Sequence, residues 1–200
     1  MIRRVILILT LVFLVPAASA HAQPSADDQR TVDGIREALS RLPYYGVFDV
    51  LAFQYERGTV TLSGFAYALG LKDDAVRAVR KVARVDQVID TIEQAPPSSH
   101  DDRIRWATFY NIYTDDFLAR YARGGLPIRF DRRFHLPQYP GMQPFGTYPI
   151  HIIVKGGRTV LVGEVDAEAD KTVAGLRARE VPGTFKVDNE LTIASRDRSR

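Results

Sequence analysis

Apolar positions along the chain keep two different periods, and they alternate. Val32, Ile35, Leu39 and Leu42 recur at steps of three and four, which predicts a helix with one buried face, and Asp27 and Asp28 lie near its positive end. Val50-Leu51-Ala52-Phe53-Gln54-Tyr55 then reads as a strand. Arg57-Gly58 supplies residues for a tight turn, and Thr59–Ser63 returns as a second strand. Gly64 is expected to end it, where a side chain would obstruct the turn into the next element. Leu71, Ala75, Val79 and Val82 restore the helical period, and Val85–Ile92 closes the series as a strand.

The same order is written again 99 residues later. Without gaps, 57–92 lies over 156–191 with nine identities in 36 positions, among them Gly58/Gly157, Leu62/Leu161, Gly64/Gly163, Ala75/Ala174 and Val88/Val187. Chance would give about two. A period this long suits a repeated small domain rather than a solenoid unit. Asp101 and Asp102 open the second copy's first helix, which carries Ile104, Ala107, Ile112 and Leu118. Its strands are Ile150–Val154, Arg158–Val162 and Thr184–Ile193, and its second helix is expected to bury Ala169, Val173, Leu176 and Ala178.

The pattern predicts an α+β protein of two small α-β-β-α-β domains, each a three-stranded sheet with two helices on one face. The first spans 28–94 and the second 101–194. Residues 95–100, with Pro96-Pro97-Ser98-Ser99, read as a Pro/Ser linker that should let each copy fold alone. Residues 195–200 are expected to be a disordered tail.

The N-terminus changes the charge balance. Arg3 and Arg4 precede an apolar run, Val5 to Val15, and small residues offer cleavage at Ala18-Ser19-Ala20 or Ala20-His21-Ala22. Residues 1–22 therefore read as a signal peptide, too short in its apolar run to span a bilayer. The chain has 27 basic and 24 acidic residues; without Arg3 and Arg4 the balance is 25 to 24, a net of +1. Such a chain is not a general nucleic-acid binder, and no nucleic-acid partner is expected. It has no Cys, so its domains must hold by their cores alone.

The second copy also carries an insertion at about 122–148, rich in Gly and Pro yet holding Phe130, Phe134, Tyr139, Phe145 and Tyr148. Disordered linkers are poor in aromatic residues, so an ordered loop is expected. Its basic half, with the helix end before it, holds Arg120, Arg123, Arg129, Arg132 and Arg133 against Asp131 alone. With Phe130 and Phe134 these arginines form the candidate contact for an anionic membrane surface or a protein partner. The competing expectation is that the rings pack on the host domain and the arginines are merely solvated.

Catalytic chemistry finds little footing. His21, His100, His135 and His151 show no ligand spacing, so no metal and no cofactor is expected. No G-x-S-x-G elbow marks a nucleophile. Asp166-x-Glu168-x-Asp170 resembles the start of a calcium loop, but Lys171 and Arg177 occupy the places of its Gly and closing Glu. Those acids suit a helix N-terminus instead.

The repeated residues resemble the BON domain, named for bacterial osmotic-stress and nodulation proteins. The pattern is G-x-V-x-L-x-G, a helix with spaced Ala, then V-x-G-V-x-x-V-x-N-x-L. The second copy carries it best, in Gly157, Leu161, Gly163, Ala174, Val181, Gly183, Val187, Asn189 and Leu191, with Thr159 and Thr184 in place of Val. In the first copy Arg84 stands where the family has Gly, and Asp90 where it has Asn. The resemblance implies a periplasmic, non-catalytic protein that binds phospholipid surfaces and supports envelope integrity or stress tolerance. The alternative is a protein-interaction module that docks an envelope partner through the insertion.

Overall fold

The computed structural model describes residues 25–122, 144 and 148–195. The expected signal peptide, most of the insertion and the tail from 196 lie outside the described residues. Among the described residues, no helix is long and apolar enough to cross a membrane.

Two α+β units follow one another. In the first, α1 (Ala26–Ser40) precedes the β1 (Val50–Glu56) and β2 (Thr59–Ala66) hairpin, α2 (Leu71–Val79) and β3 (Gln87–Asp90). A two-residue strand, β4 (Glu93–Gln94), continues β3 along the same neighbour. The second unit runs α3 (Ser99–Tyr113), a 3₁₀ turn (Ala119–Tyr121), β5 (Ile150–Lys155), β6 (Arg158–Val165), α4 (Glu168–Arg179) and β7 (Lys186–Ile193). Each sheet has its hairpin pair antiparallel and its last strand parallel to the hairpin's second strand. Ser98 caps α3, so that helix begins inside the expected linker.

Helix starts are set by local chemistry. Ser25 accepts from the Asp28 N–H, and Asp28 accepts from the Ser25 N–H, which satisfies two donors that the first turn leaves open. The hairpin turns place Arg57 and Gly58 at φ 47 and 83, and Gly156 and Gly157 at 57 and 76, as a two-residue turn matched to strand twist requires.

Gly64 and Gly163 do not end their strands. β2 and β6 run on past them to Ala66 and Val165. Glycine is needed there because the neighbouring strand comes too close: an added Cβ would lie 2.0 Å from the Val50 carbonyl oxygen, or 1.9 Å from that of Pro149. The buried face of α4 also differs from expectation. It is Asp170, Ala174, Gly175 and Ala178, while Ala169 and Leu176 face outward. Small residues let α4 settle close to β7, where Gly175 leaves room for the Asn189 side chain. A hydrophobicity count undervalues such a face.

The first core gathers Ile35 and Leu39 of α1, Val60 and Leu62 of β2, and Leu71, Ala75 and Val79 of α2. The second gathers Ile104, Phe109, Ile112 and Tyr113 of α3 with Ile150, Ile152, Leu161, Ala174 and Leu191. It also contains Val47, Phe48 and Tyr67, which belong to the first copy.

Leu62 and Leu161 are both 0% exposed at equivalent strand positions. Replacing either with Ala should cost about 2–5 kcal/mol, read as a fall in urea midpoint with little change in slope. A harmless Leu161→Ala would contradict the register of β6.

Candidate functional site

Arg120 is the one expected contact residue among the described residues. Arg123, Arg129, Phe130, Arg132, Arg133 and Phe134 lie outside them. The 3₁₀ turn carries Arg120 to the start of α4. Its guanidinium bonds Asp170 at 2.5 Å, the Phe117 carbonyl and the Tyr121 hydroxyl, lies 3.7 Å from Asp166, and sits 4.8 Å from the centre of the Tyr121 ring. Burial pushes the Asp170 carboxyl up, but hydrogen bonds from Tyr121 and Arg120 outweigh it and hold the pKa below the ordinary value. Arg120 is thus occupied at the root of the insertion. Phe117, three residues before it, is 68% exposed.

Across the domain, α3 and α4 form an open polar cleft lined by Asn111, Thr114, Asp115, Asp116, Arg177 and Glu180. Arg177 bonds Asp115 through Nε at 2.7 Å and Glu180 through one terminal nitrogen at 3.0 Å, so its charge is paired within the cleft. Among the described residues no group of three or more His, Cys, Asp or Glu could hold a metal ion. Asp166, Glu168 and Asp170 sit before or within the first turn of α4, and Asp170 is turned to Arg120 and Tyr121.

The densest chemistry joins the two copies. The loop from α1 to β1 reaches the free edge of β5, where the Ile152 N–H donates to the Val47 carbonyl at 2.8 Å. Phe48 is 0% exposed and meets Tyr67, Trp106 and Phe109 edge-on, at ring separations of 5.4, 5.5 and 6.4 Å. Asp49 fixes the loop: its carboxylate accepts from the N–H groups of Gly46, Tyr67 and Ala68 at 3.0, 2.6 and 3.1 Å. Arg105 of α3, also 0% exposed, lies 4.8 Å from the Tyr67 ring centre. It donates to Asp102 and to the Val154 carbonyl, each at 2.5 Å. Outside this buried set, Lys155 pairs with Glu93 across the same boundary.

His151 of β5 lies on the other side of the edge, its ring 5.4 Å from that of Tyr45. Burial lowers its pKa, only partly offset by the backbone of Asp49 and Gly46. None of these junction residues stood out in the sequence. The signals present were Arg105 beside Ile104 on the buried side of α3, and an aromatic loop, Tyr44-Tyr45, ahead of β1.

Two repeated α+β units, each closed by a crossover helix and a parallel strand, define a tandem small-domain protein. The BON domain model matches residues 27–96 and 134–195, well over half of the chain, and the chain belongs to the BON domain family. No curated protein matches it. Solved structures that match include two of CdsD, a structural protein of the type III secretion system of Chlamydia trachomatis, one of them its C-terminal domain. They are 14% and 13% identical, with 82% of this chain covered in both and 93% and 97% of theirs. Their TM-scores of 0.26 and 0.25 mean that the overall superposition is poor.

Phe48→Ala, although it lies in the first copy, should remove about 3–5 kcal/mol from the second. Thermal unfolding followed by Trp106 fluorescence and by circular dichroism should move to lower temperature together. If Trp106 melts at the parental temperature, the two copies do not share this core.

Proposed function

We propose that this protein is exported to the periplasm and binds anionic phospholipid surfaces without catalysis, in support of envelope integrity. Membership of the BON family is the observation that carries the reading, since that family is associated with envelope and phospholipid-related roles. The Arg-aromatic segment around Arg129–Phe134 supplies the chemistry. Guanidinium groups match phosphate oxygens, and aromatic rings settle at the headgroup level. Arg120 is assigned a supporting role at its root, because its donors are already engaged by Asp170, Phe117 and Tyr121.

Co-sedimentation with phosphatidylglycerol vesicles at low salt tests this. The parent should bind, and added salt should weaken the binding. A basic residue near an anionic surface contributes about 1 kcal/mol. Replacing Arg129, Arg132 and Arg133 with Ser should therefore weaken binding about 100-fold. Arg120→Ser should lower the melting temperature and leave vesicle affinity near the parental value. A folded parent that does not sediment would overturn the lipid reading in favour of docking to an envelope protein.

A further inference from the structure

The loop between α1 and β1 grips β5 from both sides. Val47 and Phe48 join the core side with Ile150 and Ile152. His151, pointing the opposite way along the strand, meets Tyr45. We propose that His151 is an acid-sensitive latch between the two copies: protonation of its imidazole releases the 44–49 loop from β5 and undocks them. The proposal does not depend on what the protein binds.

The geometry makes the charged ring costly. His151 Nδ1 is buried and has no hydrogen-bond partner. A protonated imidazole must donate from both nitrogens, and the backbone of Asp49 and Gly46 in the loop relieves the added proton only in part, because burial outweighs what they offer. The facing groups offer little relief. In the loop, the Tyr45 hydroxyl stays neutral, its pKa raised chiefly by burial. Asp49 already accepts three backbone N–H groups. Lys155 lies on the same face of β5 and is itself cationic. Val162 of β6 stands directly beside His151, with Glu164 one step along the same face. Glu190 of β7 lies beyond Val162, two strand spacings or roughly 9–10 Å away, and is exposed.

The sign follows from burial. A histidine whose folded pKa is depressed contributes stability that is complete above its unfolded value of about 6.5 and is lost as pH falls below it. Asp115, Asp170 and Asp188 are depressed carboxylates, so their contributions are lost only at lower pH, below about 4. Among the described groups whose pKa is lowered, His151 is the one that responds between these limits.

Trp106 is the only tryptophan in the chain and packs 5.5 Å from Phe48 across the junction. Its emission should shift to the red in the full-length protein between pH 6.5 and 4.5, while far-UV circular dichroism stays constant. His151→Gln, which cannot take the charge, should abolish the shift, and His100→Gln and His135→Gln should keep it. In the parent, the His151 ring protons followed by NMR should titrate below the ordinary histidine value, with the same midpoint as Trp106. That titration stands even if His151→Gln fails to fold. A flat Trp106 emission, a His151 midpoint at or above 6.5, or a simultaneous loss of secondary structure would overturn the latch.

Discussion

The free edge of β5 is the constraint on which the tandem arrangement depends. An edge strand presents unpaired N–H and C=O groups that must be bonded, blunted or covered. Here a loop of the other copy covers it. Val47 gives the edge a backbone hydrogen bond, and Phe48 enters the second copy's core beside it. The aromatic residues of α3 follow from that entry. Trp106 and Phe109 are placed to receive Phe48, and Phe109 in turn packs tilted against Tyr113 and edge-on against Tyr148. Arg105 is admitted to this apolar setting because Asp102 and the Val154 carbonyl bind its two terminal nitrogens and the Tyr67 ring lies beside it, although its Nε is buried without a hydrogen-bond partner. Removing one partner of such a buried pair leaves an uncompensated charge, so the junction tolerates little piecemeal change.

Once the copies are joined in this way, equivalent backbone problems acquire different solutions. The N–H groups just past the hairpin need acceptors in both units. Asp49 accepts those of Tyr67 and Ala68 in the first, whereas the Tyr121 hydroxyl accepts that of Asp166 in the second. The last strand also differs. In the first copy the Asp90 carboxylate bonds the Ile92 N–H, and Lys72 bridges Asp90 and the Ile92 carbonyl, where the strand breaks into β3 and β4. In the second, Asn189 can donate as well as accept, bonds the Lys171 carbonyl, and β7 runs unbroken. Arg84 is a further departure: it holds φ 66 where its counterpart Gly183 holds 89, a conformation that costs a residue with a side chain about 1–2 kcal/mol. Arg84 also pairs with Asp27, which ties that strained turn to α1.

What could be read from the sequence was what is local. The hairpins announced themselves through paired positive-φ residues and alternating strands, and α1 and α2 through a clean stripe of branched residues. The repeat then carried strand order from one copy to the other. The buried side of α4 is not legible in the same way because it is made of Ala, Gly and an ion-paired Asp, which have little hydrophobic signal. Gly64 and Gly163 were recognised as necessary but for the wrong reason, since the obstructing atom belongs to a neighbouring strand rather than to the following turn. The junction was invisible for a related cause. Phe48 contacts residues 58 and 61 positions away, and no periodicity links them. Likewise Arg120 looked like a free surface cation because its partner, Asp170, lies 50 residues on.

This bears on why the motif is written twice. A Pro-containing linker suggested two units that could work apart. The packing instead makes the second copy's core incomplete without Val47, Phe48 and Tyr67 of the first. The long insertion joins α3 to β5 in the copy whose β5 edge is closed by a loop of the other. The first copy has a core of its own, assembled chiefly from α1, β2 and α2. The two copies divide the mechanical work unequally: the first is the brace, and the second is the braced unit from which the Arg-aromatic segment departs.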